Sequence, residues 1–208
     1  MKLYFAPGAC SMGIHVILEE IGKPYELAPV ALKEGAQHKP EFQAVNPKSK
    51  VPALELDGEG RALTEWPAIA LYLAGSNPEA NLMPRDPAAQ ARALEAIDYV
   101  TGTIHPNAFT RQFRPGNFSV REEDHPQVIE QAQQNAEKFF NLVEKNWAGD
   151  TWVLPEGYSV ADAALFFVEY WQAKRVGKPL PPKLDRHLKA MLERPAVKRV
   201  LEQEGMPA

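Results

Sequence analysis

The sequence predicts an α/β domain followed by an all-helical one. Strand and helix patterns alternate over residues 1–77. A breaker-rich stretch follows, from Ser76-Asn77-Pro78 to Pro84-Arg85-Asp86-Pro87. Beyond residue 87 only helical periodicity remains. The expected organisation is therefore a domain at 1–77, a linker at 78–86 and a helical domain at 87–208.

Leu3-Tyr4-Phe5 reads as a short apolar strand stopped by Pro7-Gly8. Ile14, Ile17, Leu18 and Ile21 have the spacing of one buried helix face, and Gly22 with Pro24 ends that helix. Tyr25 to Val30 reads as a second strand. Pro29 cannot donate to a ladder, so this strand belongs at an edge or is bulged. Pro40 to Val45 is a short helix, Pro52 to Leu56 a third strand and Arg61 to Leu63 a fourth, with Asp57-Gly58-Glu59-Gly60 turning between them. Pro67 to Leu73 closes the unit as a helix. The order β-α-β-α-β-β-α is the thioredoxin arrangement. In the second half, helices are expected from Ala88 to about His105, after Asp124 as cap, after Ser159, over Lys183 to Glu193 and over Ala196 to Glu204. Ser159-Val160-Ala161-Asp162 has capping-box spacing with Asp in place of Glu.

The composition narrows the function classes. The 23 basic and 27 acidic residues give a net charge of −4 and are mixed along the chain. No basic stripe suggests nucleic acid. A single cysteine excludes an internal disulfide and fits a reducing compartment. The apolar start is too short for a signal peptide or a membrane span, so a cytoplasmic protein is expected. No His or Cys pair has metal-ligand spacing, and no Gly-rich phosphate loop is present, so neither a metal nor a nucleotide is expected.

Four segments, in order along nearly the whole chain, carry a family resemblance. They are Met1-Lys2-Leu3-Tyr4-Phe5-Ala6-Pro7-Gly8-Ala9-Cys10-Ser11, Asn46-Pro47-Lys48-Ser49-Lys50-Val51-Pro52-Ala53-Leu54, Leu63-Thr64-Glu65 and the Ser159 box. Together they resemble the beta class of bacterial glutathione transferases. The resemblance implies a thioredoxin-like domain plus a helical domain, a homodimer, and a glutathione site facing the dimer interface. It also implies conjugation of glutathione to small hydrophobic electrophiles and a cis Val51-Pro52 bond that turns the Val51 amide and carbonyl toward the ligand.

Glutathione is anionic, extended and peptide-like, and the candidate residues suit it. Glu65 stands where a strand meets a helix, so it is either a partner for the γ-glutamyl ammonium or an acid favoured by the helix dipole. The amides of that helix start suit a carboxylate. Cys10, just before the first helix, is placed for thiolate stabilisation or is an inert buried thiol. Ser11 is either the helix cap or a hydroxyl donor to the glutathione thiolate. Lys33 and Lys50 can attract the ligand's carboxylates or are ordinary surface lysines. Asp98 lies seven residues before His105, two α-helical turns, so both can share a face. The resemblance places His105 near the glutathione sulfur and Asp98 where an Asn reaches the partner subunit's glutathione. Arg111, Phe113, Phe118, Tyr170 and Trp171 are candidates for lining a second-substrate pocket or are ordinary core. Ser159 and Asp162 read as structural.

The sequence departs from the resemblance at four places, of which Asp98 in place of Asn is one. Trp66 stands where a small residue is expected and must pack against the ligand or across the dimer interface. Pro67 removes an N–H from the anion-binding turn. Pro106 stands where a lysine is expected. Three functions compete: glutathione conjugation, thiol-disulfide or peroxide reduction through Cys10, and non-catalytic ligand binding.

Overall fold

A computed structural model describes all 208 residues, Met1–Ala208. By compactness the chain divides into Met1–Met83 with Met191–Ala208, and Pro84–Ala190.

In the first unit a four-stranded sheet has the order β2-β1-β3-β4, with β1 Lys2–Phe5, β2 Glu26–Pro29, β3 Ala53–Glu55 and β4 Leu63–Thr64. β1 pairs parallel with β2 and antiparallel with β3; β3 pairs antiparallel with β4. Pro29 therefore lies on an edge strand, where its missing N–H costs no ladder bond. Helices α1 (Ser11–Ile21), α2 (Pro40–Val45) and α3 (Trp66–Ser76) complete the expected β-α-β-α-β-β-α order. α1 ends at Gly22, whose φ of 71° is the left-handed conformation glycine adopts without strain. Leu3, Ile14, Ile17, Leu54, Ile69 and Leu73 are fully buried. Each such side chain stabilises the unit by about 1.5–3 kcal/mol.

The second unit is helical. α4 (Pro87–Asp98) is capped by Asp86, whose carboxylate accepts from the Ala89 N–H at 2.9 Å. It runs on as a π-helix over Tyr99–Thr110, then α5 (Arg111–Phe113). Pro106 sits inside the wide segment, where it supplies no backbone donor. α6 (His125–Asn146), α7 (Val160–Tyr170) with a π-helical end at Trp171–Val176, and α8 (Pro182–Glu193) follow. Asp124 does not cap α6; its carboxylate is held by Ser119 and Arg121. The final helix, α9 (Pro195–Glu204), packs on α1, so it belongs to the first unit although the sequence groups 87–208 together. No helix is long and apolar enough to cross a membrane.

The Ser159 capping box forms: the hydroxyl accepts from the Ala161 N–H at 3.2 Å, and the Asp162 carboxylate accepts from the Ser159 N–H at 2.7 Å. Asp162 also meets His187 Nε2 at 3.1 Å, while Glu169 meets His187 Nδ1 at 2.7 Å, and all three side chains are fully buried. Burial alone would lower the His187 pKa, but the two carboxylates outweigh it and raise it to about 10. Burial pushes Glu169 up to about 7 against the attraction of His187. His187 is thus a cation that compensates a buried acidic pair.

Removing that cation strands buried carboxylate, so His187→Gln is expected to cost about 3–5 kcal/mol in urea unfolding at pH 7. A raised histidine pKa gives stability that is full below the unfolded value of about 6.5 and is lost as pH rises through about 10. The His187 imidazole, followed by NMR, should therefore stay protonated well above pH 7; deprotonation near the ordinary value of about 6.5 would contradict this assignment.

Candidate active site

The site in the first unit is built on the loop from Ala6 to Cys10, at the end of the inner strand β1. Ser11, fully buried, ties the loop's ends together. Its hydroxyl accepts from the Ala6 N–H at 3.2 Å and donates to the Ala6 carbonyl at 3.3 Å. It is the first residue of α1, not the cap, and makes no capping bond there. The cap role open to it in the sequence thus gives way to this loop clamp.

Gly8 has a φ of 67°, and a Cβ there would come within 2.7 Å of Met206 Cε. Glycine meets both constraints. The Gly8 N–H donates to Glu204 Oε2 at 2.7 Å, and Glu204 Oε1 pairs with His15 Nδ1 at 2.9 Å, with both side chains fully buried. His15 Nε2 faces the Gln203 Oε1 at 2.6 Å and the Tyr25 hydroxyl at 2.9 Å. Burial, then the Glu19 carboxylate bonded to that hydroxyl, raises the Tyr25 pKa. The C-terminal helix thus supports the loop from below.

Cys10 follows at the N-cap of α1 and is half-buried. Its thiol donates to the Val51 carbonyl at 3.4 Å. The Val51-Pro52 bond is cis. Asn46, 1% exposed, shapes the approach to this turn: Nδ2 donates to the Lys50 carbonyl at 2.7 Å and Oδ1 accepts from the Lys48 N–H at 3.1 Å.

Glu65 caps α3 with φ 71° and ψ 124°, a region sparsely populated for a residue with a Cβ. Such a conformation costs about 1–3 kcal/mol and clusters at functional sites. Its exposed carboxylate accepts from Lys48 Nζ at 2.7 Å, and Lys48 also donates to the Thr64 hydroxyl at 3.0 Å. Trp66 is 5% exposed, and its indole N–H donates to the Cys10 carbonyl at 3.1 Å. Its indole N–H is turned toward Cys10. Pro67 leaves the first turn of α3 one donor short.

The structure thus brings Cys10, Val51, Pro52 and Trp66 together, with Glu65 beside them. Lys33 and Lys50 are exposed lysines without an ion pair. Asn46 and Lys48 were not singled out by sequence. Asn46-Pro47 is a turn signal, whereas nothing local links Lys48 to Glu65, which lies 17 residues away.

His105 and Asp98 belong to the other unit. His105 is half-buried, edge-on to Phe167 and Trp171 at 5.7 and 5.1 Å. Asp98 is exposed and leans over Gly102, whose absent Cβ would lie 3.5 Å from Oδ1. The π-helix between them has more residues per turn than an α-helix, so a seven-residue spacing no longer sets both on one face. Tyr170 and Trp171 are core, 1% and 3% exposed. Arg111 lies over the Phe118 ring at 4.2 Å and Arg175 over Phe113 at 3.8 Å. No group of three His, Cys, Asp or Glu side chains is placed to hold a metal ion.

Residues 8–75 match the family described as glutathione S-transferase, N-terminal domain, and residues 94–195 match its C-terminal domain. The chain belongs to the glutathione S-transferase family. It is 35% identical to the glutathione S-transferase GstA of Escherichia coli O157:H7, over 99% of this chain and 100% of that one. It is also 29% identical to the disulfide-bond oxidoreductase YfcG of Escherichia coli K12, over 97% and 94%. A Sulfitobacter glutathione transferase homologue solved with bound glutathione superimposes with a TM-score of 0.89 at 30% identity, covering 99% of this chain and 98% of that one. A sphingomonad glutathione S-transferase complexed with glutathione gives 0.84 at 33% identity, with both chains fully covered. The fold is accordingly the glutathione transferase fold, a thioredoxin-like unit plus a helical one.

The glutathione transferase loop depends on the Glu204 carboxylate. Glu204→Ala removes an acceptor shared by Gly8 and His15 and is expected to lower stability by about 3 kcal/mol or more in urea unfolding. A loss under about 1 kcal/mol would show that the bonds at Glu204 are dispensable.

Proposed function

We propose that this chain binds glutathione on its N-terminal unit and conjugates it to small hydrophobic electrophiles. The observation that carries this reading is the convergence of Cys10, the cis Val51-Pro52 turn and the start of α3. Val51 offers a backbone amide and carbonyl to the cysteinyl residue of the ligand. Glu65 takes the γ-glutamyl ammonium in exchange for Lys48, which is already a cation on that carboxylate. The first turn of α3 takes the γ-glutamyl carboxylate, and Lys33 and Lys50 supply attraction for the carboxylates. The ligand's sulfur then lies toward Cys10. As thiolate it attacks the electrophilic carbon, the leaving group departs with its electron pair, and the thiol proton goes to solvent. His105 and Asp98 are assigned to the sulfur and to the partner subunit's ligand. Leu71 and Tyr72, 48% and 38% exposed on α3, support the assignment of a homodimer.

A second reading draws on the likeness to YfcG and on the half-buried Cys10 thiol. The Cys10 thiolate attacks a glutathione mixed disulfide and releases the partner thiol. A free glutathione thiolate then attacks the Cys10 adduct, giving glutathione disulfide and regenerating Cys10.

Purified protein should accelerate the reaction of glutathione with chlorodinitrobenzene, followed by absorbance. Glu65→Gln should raise the KM for glutathione by about tenfold or more, the loss of one charge-assisted hydrogen bond. No binding and no rate enhancement would end the reading. Reduction of a mixed disulfide that disappears in Cys10→Ala, with conjugation unchanged, would favour the second.

A further inference from the structure

We infer that Trp66 is a positioning residue for the Cys10 thiol. Its indole N–H donates to the Cys10 carbonyl at 3.1 Å, and the thiol of the same cysteine donates to the Val51 carbonyl at 3.4 Å. Cys10 is thus held at both ends by two other segments. Its main chain is fixed by the first residue of α3, and its side chain by the turn before β3. The Gly13 N–H reaches the same Cys10 carbonyl at 3.3 Å, a long contact, so the indole is the closer donor.

The consequence is chemical. A hydrogen bond from a thiol to a carbonyl stabilises the protonated form and opposes ionisation. A helix N-terminus favours the thiolate. The thiol contact at 3.4 Å depends on where the Cys10 main chain sits. The indole N–H holds the Cys10 carbonyl in that position once the loop clamp has placed it. Trp66 therefore keeps the thiol on Val51 and restrains its ionisation, and it does so from the position adjoining Glu65. A ligand that engages the Glu65–Trp66 main chain acts on the residue that fixes Cys10. Trp66 is not a catalytic residue, since it acts through Cys10.

This inference rests on Cys10 being the thiol of the proposed site, and its test needs no glutathione. Alkylation of Cys10 by iodoacetamide is followed against pH. The proteins are the wild type, Trp66→Phe, and a protein in which Trp66 is replaced by 3-benzothienylalanine, an isostere without the N–H. The isostere keeps the core volume, so it decides the question if Trp66→Phe does not fold. Losing the N–H is expected to lower the midpoint of the alkylation profile by about half a pH unit or more, roughly threefold in thiolate near neutral pH. A merely structural tryptophan would lower thermal stability without moving that midpoint. An unchanged or raised midpoint in the isosteric protein overturns the inference. Failure of glutathione to bind the wild type would sink the proposed function and leave this result readable.

Discussion

The bond from the Gly8 N–H to the Glu204 carboxylate joins residues 196 apart in the chain and lies under the loop that presents Cys10. A loop of a few residues between a strand and a helix has many conformations of similar energy. Here three constraints select one: Ser11 closes the loop on Ala6, Gly8 accepts a positive φ, and Glu204 with His15 holds it from α9. Once the loop is fixed, α1 begins at a set point and Cys10 sits at its N-cap. The thiol then reaches Val51, and the Cys10 carbonyl becomes an acceptor for Trp66. The proposed site is thus an outgrowth of packing in the first unit, completed by a helix from the far end of the chain.

The strained residue of that unit fits the same logic. Glu65 holds a positive φ while its carboxylate stays exposed and paired with Lys48. An exposed ion pair contributes little stability, so it does not offset the backbone cost. Packing of Trp66 does more, because it buries a large ring and satisfies its N–H at once. The neighbours of Glu65 hold its conformation, and its carboxylate stays available for exchange with another cation.

Much of the fold was legible because it rests on periodicity and punctuation. Ile14, Ile17 and Leu18 are buried as the spacing predicts, with Ile21 only partly so, and the edge position of Pro29, the Gly22 stop and the Ser159 box formed. What escaped depends on residues far apart in sequence. The packing of α9 on α1, the pairing of Lys48 with Glu65 and the buried His187 between Asp162 and Glu169 leave no local pattern. Trp66 and Ser11 show the sharper lesson. Ser11 clamps the loop on Ala6 and Trp66 reaches the Cys10 carbonyl, two bonds that spacing could not indicate. Between Asp98 and His105 a π-helix stands in place of the α-helical period, so their spacing of seven residues is not two α-helical turns.

The central claim is that glutathione binds along Val51 and the start of α3. A titration of nitrogen-labelled protein with glutathione, followed by backbone amide chemical shifts, tests it most directly. The expected result is that the largest changes fall on the amides of Val51, Glu65 and Trp66, with Cys10 and Ser11 next. Shifts confined to residues 84–190, or none up to about 5 mM ligand, weaker than any useful co-substrate affinity, would contradict the account.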